Sequence, residues 1–320
     1  MVREVAMKRT EWTPENYFED TWLDSPDLTD IRTLGVIGLG DVGITMVLGL
    51  MLYGQSRYDE LILIDPNTAN RQRLEHELRQ IRSLVTSFPK VTLAEPAELI
   101  RADMVFFVAS VSVPKVGETI TDARLIQFGS NWKLLQQYAE ELLTQGYNGL
   151  FGVVSDPVDF LATKLVRSFK LDPRRVMGFG QGVMAARAAY YGGDNVRMFG
   201  PHGKGLFVAN DATDFDMQQS IELSQLTLQE NMVIRSFGYK PYLAPALSSA
   251  AIAITDMLNG QLHYSSQFLG QFSWGERYQF SPKGLLLRKL EHDELRNVVQ
   301  QTYKQVGEAY ESANRQIEQS

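Results

Sequence analysis

Leu34-Gly35-Val36-Ile37-Gly38-Leu39-Gly40-Asp41-Val42-Gly43 is the stretch on which the reading of this chain turns. A short apolar run enters three glycines spaced G-x-G-x-x-G, and a segment of helical character over 42–53 leaves them. The run has the length and composition of a strand covered on both faces. The order of strand, glycine turn and helix has a physical logic. The first glycine closes a tight turn, the second lets backbone approach a phosphate, and the third lets helix pack on strand. The free N–H groups at the helix start then present positive potential to an anion. The next apolar run, Glu60-Leu61-Ile62-Leu63-Ile64, ends in Asp65, 22 residues after Gly43. An acid at that point accepts hydrogen bonds from ribose hydroxyls and repels a 2′-phosphate, so the dinucleotide expected is NAD rather than NADP.

Outward from this turn, strand and helix alternate. A charged helix is predicted over 71–84, where Leu74, Leu78 and Ile81 recur at helical spacing, and apolar runs at 104–108 and 149–154 bracket a helix at 131–145. Such alternation predicts an α/β fold, a Rossmann-type doubly wound parallel sheet. The NAD-binding domain is placed at 34–155. An α+β substrate or catalytic domain follows at 156–320, with helices near 157–169, 182–191, 214–237 and 248–258. Strands are expected there at 175–178, 196–199 and 205–208, and an amphipathic helix over 291–319 closes the chain. Residues 1–33 read as an arm packed on the body or on a neighbouring subunit, with a helix start at Thr13-Pro14-Glu15.

Composition narrows the chemistry. In 320 residues there is no cysteine, and there are only four histidines. Disulfides, thiolate nucleophiles and cysteine metal sites are therefore absent, and no metal site is expected. The 31 Lys and Arg against 38 Asp and Glu give a net charge of −7, with no basic field to draw in nucleic acid. No apolar stretch approaches the roughly 18 residues of a membrane span. Acidic residues by Glu4 and the lack of an apolar segment there argue against a signal peptide, so a cytoplasmic protein is expected.

A nicotinamide enzyme reducing a carbonyl needs a proton donor near the oxygen and a cation for any substrate carboxylate. His76 and His292 lie in charged helical runs and His263 follows an apolar helix, so these three read as surface or packing residues. His202 differs. It stands in Gly200-Pro201-His202-Gly203-Lys204-Gly205, where glycines allow turning and close approach of a ligand.

Several further segments resemble the lactate/malate dehydrogenase family, from about Leu34 to the C-terminal helix. Arg124 and Asn131 stand at the family's seven-residue spacing in its "R-x-x-L-x-x-x-N" region. Ser155-Asp156-Pro157-Val158-Asp159 resembles "S-N-P-V-D", and Gly182-Val183-Met184-Ala185-Ala186-Arg187 resembles "x-L-D-x-x-R". Gly200-Pro201-His202-Gly203-Lys204 resembles "G-E-H-G-D", and Ala246-Leu247-Ser248-Ser249-Ala250 resembles the malate-type "T-L-S-x-A". The resemblance implies His202 as acid/base, Arg187 as a bidentate clamp on the substrate carboxylate, and Arg124 as the loop arginine that polarises the carbonyl. Around the cofactor it implies Gly38, Gly40, Asp41, Val42, Gly43, Asp65, Ala109, Asn131 and Ser155. It also implies a small-molecule carboxylate substrate and a homodimer or homotetramer.

The departures from the pattern matter as much. The family aspartate that pairs with the histidine is Met184 here, so a charge-assisted hydrogen bond of about 1.5–3 kcal/mol is missing. Asp156 replaces an asparagine close to the reacting oxygen. As a carboxylate it accepts but does not donate, and it serves either as the missing acid partner or as a counter-charge for a protonated substrate nitrogen. Lys204 stands where the family has an acid after His-Gly, and His202 follows Arg187 by only fifteen positions. The loop from Val111 to Asp122 is longer than the malate-type loop, and Lys115 within it is a candidate reader of a second carboxylate.

The function expected is an NAD-dependent oxidoreductase of a 2-oxo or 2-hydroxy acid, or of a 2-imino acid. The alternative is a catalytically silent NAD(H)-binding protein with a sensing or scaffolding role.

Overall fold

The computed structural model describes residues 6–111 and 123–319, with the backbone alone for 123–126. The short strand β1 (Thr21–Leu23) precedes the alternating half. That half runs β2 (Thr33–Ile37), α1 (Asp41–Gly54), β3 (Glu60–Ile64), α2 (Thr68–Arg79), β4 (Lys90–Leu93), β5 (Met104–Phe107), α3 (Ala123–Thr144) and β6 (Leu150–Val153). It continues through α4 (Val158–Phe169) to β7 (Val176–Gly178). These strands lie parallel in the order β4-β3-β2-β5-β6-β7. The order reverses between β2 and β5, which places the Gly38–Gly43 turn in the crevice at the carboxyl ends of the strands where ligands bind in open α/β sheets. The strands are apolar on both faces, as Leu61, Ile62, Leu63 and Ile64 of β3 illustrate, because helices cover both sides.

The parallel sheet does not stop at residue 155, since β7 lies beyond it. The second half then runs α5 (Gln181–Gly192), the hairpin β8 (Arg197–Phe199) and β9 (Phe207–Ala209), and α6 (Met217–Ser236). A π-helical turn at Pro245–Ile252 leads into α7 (Ala253–Leu258), followed by β10 (His263–Leu269), β11 (Phe272–Ser281), β12 (Gly284–Leu287) and α8 (Asp293–Glu318). β10 pairs antiparallel with β7, so the strands of this half extend the same sheet to ten, ending β10-β11-β12-β1. An antiparallel edge on a doubly wound sheet needs only hairpins, and Gly270 and Gly284, both at positive φ, stand at the two reversals.

The arm packs on its own chain. Arg9 is fully buried, donating from Nη1 to Gln267 Oε1 (2.7 Å) and from Nε to the Asp24 carbonyl (2.8 Å), and burial lowers its pKa to about 10. Trp12 and Tyr17 are buried against Tyr303 and Phe199, and Tyr17 hydrogen-bonds Glu276, which also pairs with Arg197. The helix expected over 71–84 ends at Arg79. Leu84 and Val85 find no surface to pack on, and the Ser83 hydroxyl instead accepts the N–H groups of Val85 and Thr86 in a turn. Among the described residues no helix is long and apolar enough to cross a membrane.

Candidate active site

At the end of β2 the chain turns through Gly38, whose φ of 97° suits glycine alone. A Cβ on Gly43 would stand 1.9 Å from the Gly38 carbonyl oxygen, so this residue is fixed by contact inside the turn. Gly40 is different. A Cβ there would meet nothing within 4 Å, because the residue faces the cleft. An open position at the N-terminus of α1, with no side-chain cap, is what a pyrophosphate requires, so the residues present fit a dinucleotide. Asp65 lines the same cleft and accepts hydrogen bonds from the N–H of Leu39 (3.0 Å), the N–H of Asn67 (2.8 Å) and Asn70 Nδ2 (3.2 Å). It therefore ties the turn to the start of α2. A carboxylate has about four acceptor positions, so the bonds made leave capacity for a ribose.

Ala109 and Ser155 also line the cleft, the Ser155 hydroxyl donating to the Ala109 carbonyl (2.6 Å). Asn131 is completely buried beneath the cleft wall. Its Nδ2 donates to the Asp156 carbonyl (2.7 Å) and its Oδ1 accepts the Val111 N–H (2.9 Å). Asn131 thus holds backbone that carries site residues.

The cleft, about 640 Å³, continues from this turn to His202, Arg187 and Asp156. Such a volume suits a bound organic ligand. His202 lies in the loop between β8 and β9. Its backbone N–H donates to Asp159 Oδ2 (2.8 Å), and Asp159 Oδ1 accepts Gln181 Nε2 (2.6 Å). Burial pushes the Asp159 carboxyl upward, with the His202 N–H as the strongest opposing influence.

His202 Nδ1 lies 2.6 Å from the carbonyl oxygen of Gly180. A carbonyl only accepts, so Nδ1 carries the proton and Nε2 is the working nitrogen. The same oxygen accepts the hydroxyl of Ser249 (2.7 Å), which in turn accepts the N–H of Val183 (2.8 Å). Asp156 Oδ1 stands 3.7 Å from Nε2, on the other side of the ring. The place the sequence left open beside Nδ1 is therefore filled by a backbone carbonyl, while Asp156 faces the nitrogen turned to the cleft.

Met184 is buried on α5, with Arg187 one turn further on and its Nη1 3.6 Å from the Met184 sulfur. Burial lowers the Arg187 pKa, against the opposing charges of Glu230 and Asp156. Among the residues that sequence reasoning passed over, Asn231 and Arg235 of α6, and Lys240 beyond it, also line the cleft. The recurrence of Leu228, Asn231 and Arg235 at helical spacing was the available signal. Lys204 is exposed and off the cleft wall. Arg124 opens α3, but its side chain lies outside the described residues, as does Lys115 with the rest of segment 112–122.

Residues 33–178 match the family model for the lactate/malate dehydrogenase NAD-binding domain. The chain is 29% identical over 160 residues to an L-lactate dehydrogenase of Oceanobacillus iheyensis, covering 50% of this chain and 48% of that protein. It is 25% identical over 273 residues to L-lactate dehydrogenase 2 of Lactiplantibacillus plantarum, covering 78% and 86%. Residues 33–178 thus form an NAD-binding domain of the lactate/malate dehydrogenase type. Over several of these matches the chain spans only about half the length of the lactate dehydrogenase concerned. Among solved structures, malate dehydrogenase from Archaeoglobus fulgidus in complex with NADH superimposes with a TM-score of 0.71 at 20% identity, over 88% of this chain and 100% of that one. A lactate dehydrogenase from a deep-sea metagenome library gives the same TM-score at 17% identity, over 88% and 99%. The family's cofactor, NAD, is the one that the Gly38–Gly43 turn and Asp65 fit.

Proposed function

We propose that this chain is an NAD-dependent oxidoreductase that interconverts a small 2-oxo or 2-imino acid with its 2-hydroxy or 2-amino counterpart. The observation that carries the reading is the single cleft joining Gly40 and Asp65 to His202, Arg187 and Asp156. Gly38, Gly40, Asp41, Val42, Gly43 and Asp65 hold the cofactor, with Ala109 and Ser155 on the same wall. When bound, NAD supplies or accepts the hydride. Arg187 holds the substrate carboxylate through two parallel hydrogen bonds, a geometry that a planar guanidinium matches. His202 Nε2–H gives its proton to the substrate oxygen as C2 is reduced, and the neutral ring takes it back in oxidation. The Gly180 carbonyl, steadied by Ser249, fixes the ring so that Nε2 points outward. Arg124 is assigned by resemblance the task of polarising the carbonyl.

Asp156 supports the imino acid within this reading. A carboxylate 3.7 Å from Nε2 favours a cation at the reacting position, and a protonated imine supplies one where a ketone does not. Met184 supports a second reading, a silent NAD(H)-binding protein, because its side chain offers no carboxylate to the Nδ1 side of the His202 ring, where the Gly180 carbonyl stands instead. NADH oxidation across pyruvate, oxaloacetate, branched 2-oxo acids and 2-oxo acid plus amine mixtures separates the two, with His202→Gln as control. Turnover lost in the variant supports the enzyme; NADH binding without turnover on any member supports the silent protein. A cytoplasmic homodimer or homotetramer completes the proposal, and the exposed apolar side chains of Leu52, Tyr53, Leu247 and Ile252 fit a subunit contact.

A further inference from the structure

Behind the loop that carries His202 lies a closed circuit of hydrogen bonds. The His202 N–H donates to Asp159 Oδ2 (2.8 Å), and Asp159 Oδ1 accepts Gln181 Nε2 (2.6 Å). Gln181 Oε1 accepts the N–H of Gly180 (3.1 Å), and the Gly180 carbonyl returns to the histidine at Nδ1 (2.6 Å). Only one sense of donation closes it. Both groups that meet Asp159 are donors, so its carboxylate accepts throughout, and the Gln181 amide turns its NH2 to Asp159 and its oxygen to the Gly180 N–H. The Gly180 carbonyl is then left to take the Nδ1 proton.

Glycines make the space. A Cβ on Gly180 would stand 2.7 Å from His202 Cβ and 2.9 Å from Cγ, and a Cβ on Gly275 of β11 would stand 2.8 Å from Gln181 Nε2. The imidazole therefore lies against bare main chain at 180, and the amide against bare main chain at 275.

Asp159 stands in the first turn of α4, where an acid complements the helix dipole. That accounts for a carboxylate at this helix start. It does not account for one that is buried and turns its two oxygens to residues 22 and 43 positions away, at the start of α5 and in the loop between β8 and β9. A buried carboxylate is costly unless its oxygens are met, and here each is met by a member of the circuit around His202. Neither Asp159 nor Gln181 lines the cleft, so each acts through His202 and not on the substrate.

We infer that Asp159 and Gln181 are positioning residues for His202. Together they hold the main chain of the histidine and the Gly180 backbone that receives Nδ1–H, and so present Nε2 to the cleft where Met184 brings no carboxylate to the ring. The inference rests on the reading of His202 as acid/base.

The test is nitrogen NMR of the four histidine rings in the full chain without substrate, His202 being assigned by its loss in His202→Gln, followed by steady-state NADH oxidation. The parent shows the Nδ1–H tautomer at His202. D159N sets an NH2 against one of the two donors and breaks the circuit. The His202 signals then move to an average of tautomers, and kcat falls by about ten- to hundredfold with KM held within about twofold. D159N/Q181E closes the circuit again: the new amide oxygen takes the His202 N–H, its NH2 donates to the new carboxylate at 181, and that carboxylate accepts the Gly180 N–H. This double variant recovers the Nδ1–H signals and most of kcat, a rescue that a merely structural role does not give.

Unmoved tautomer signals in D159N overturn the positioning role, and so does a folded double variant whose signals stay averaged. Where D159N does not fold, the double variant and the parent decide, since rapid hydrogen exchange at the His202 and Gly180 N–H groups of the parent overturns the circuit and slow exchange supports it. A parent that shows the Nδ1–H signals but turns over no substrate removes the acid/base reading, while the tautomer pattern of the variants still decides the circuit.

Discussion

Asp156→Asn separates imine from carbonyl chemistry in this site. The carboxylate lies 3.7 Å from His202 Nε2, so a protonated substrate nitrogen taking its place beside that ring atom stands at a comparable distance. Two unit charges about 4 Å apart interact by about 1 kcal/mol in water and about 4 kcal/mol at the effective dielectric of a protein surface. The Asp156 side chain is 51% exposed, which puts the interaction at the low end, about 1 kcal/mol, or roughly five- to tenfold in rate. An asparagine keeps the shape and removes the charge. The expected result is a five- to tenfold fall in kcat/KM for 2-oxo acid plus amine mixtures relative to kcat/KM for the same 2-oxo acid alone. Steady-state NADH oxidation with both substrates on both proteins gives this ratio of ratios directly. If the two rates change by the same factor, or the imine rate gains relative to the oxo acid, Asp156 plays no part in choosing the substrate.

Gly40→Ala and Gly43→Ala should part company. A Cβ at residue 43 meets backbone at 1.9 Å and should cost about 1–3 kcal/mol in chemical denaturation, whereas at residue 40 it meets no protein atom and should spare stability while weakening NADH binding; undiminished NADH affinity in Gly40→Ala would count against the pyrophosphate site. Ser249→Ala leaves the Val183 N–H without its partner and frees one lone pair of the Gly180 carbonyl, so stability should fall by about 1–3 kcal/mol. The NMR signal of the His202 Nδ1 proton should also move; an unshifted signal would deny Ser249 its positioning role. Burial lowers the His263 pKa from 6.5 to about 4, so between those pH values the unfolded chain binds a proton that the folded one refuses. Stability is then full above about pH 6.5 and falls by about 3 kcal/mol on the way to pH 4, and His263→Gln should flatten that slope in urea melts.

The alternating half was legible because its strands are uninterrupted apolar runs and its glycines have a spacing with a mechanical meaning. The far side of the sheet was not. β10 and β11 bury Ser265, Ser266, Gln267, Ser273 and Glu276, of which Gln267 and Glu276 meet the arm through Arg9 and Tyr17, and these polar residues erase the apolar signature of a covered strand. The same polar interior hides the arm's integration, since Arg9 reads as a surface charge until Gln267 is seen beneath it. In the site, the side chains with chemistry could be named from motifs, but the partner of His202 is a main-chain oxygen. No residue type announces a backbone acceptor. Ser249 and the cations of α6 fall into place only when the chain brings Pro245–Ile252 and α6 over the mouth of the parallel sheet.

Hydride transfer itself is most directly followed with NADH deuterated at the transferable position of its nicotinamide, incubated with the full chain and the 2-oxo acid and amine panel, and the products read by mass spectrometry. The account predicts deuterium at C2 of a 2-hydroxy or 2-amino acid, lost in His202→Gln. Bound but unconsumed NADH with every member of the panel, or products without the label, would contradict it.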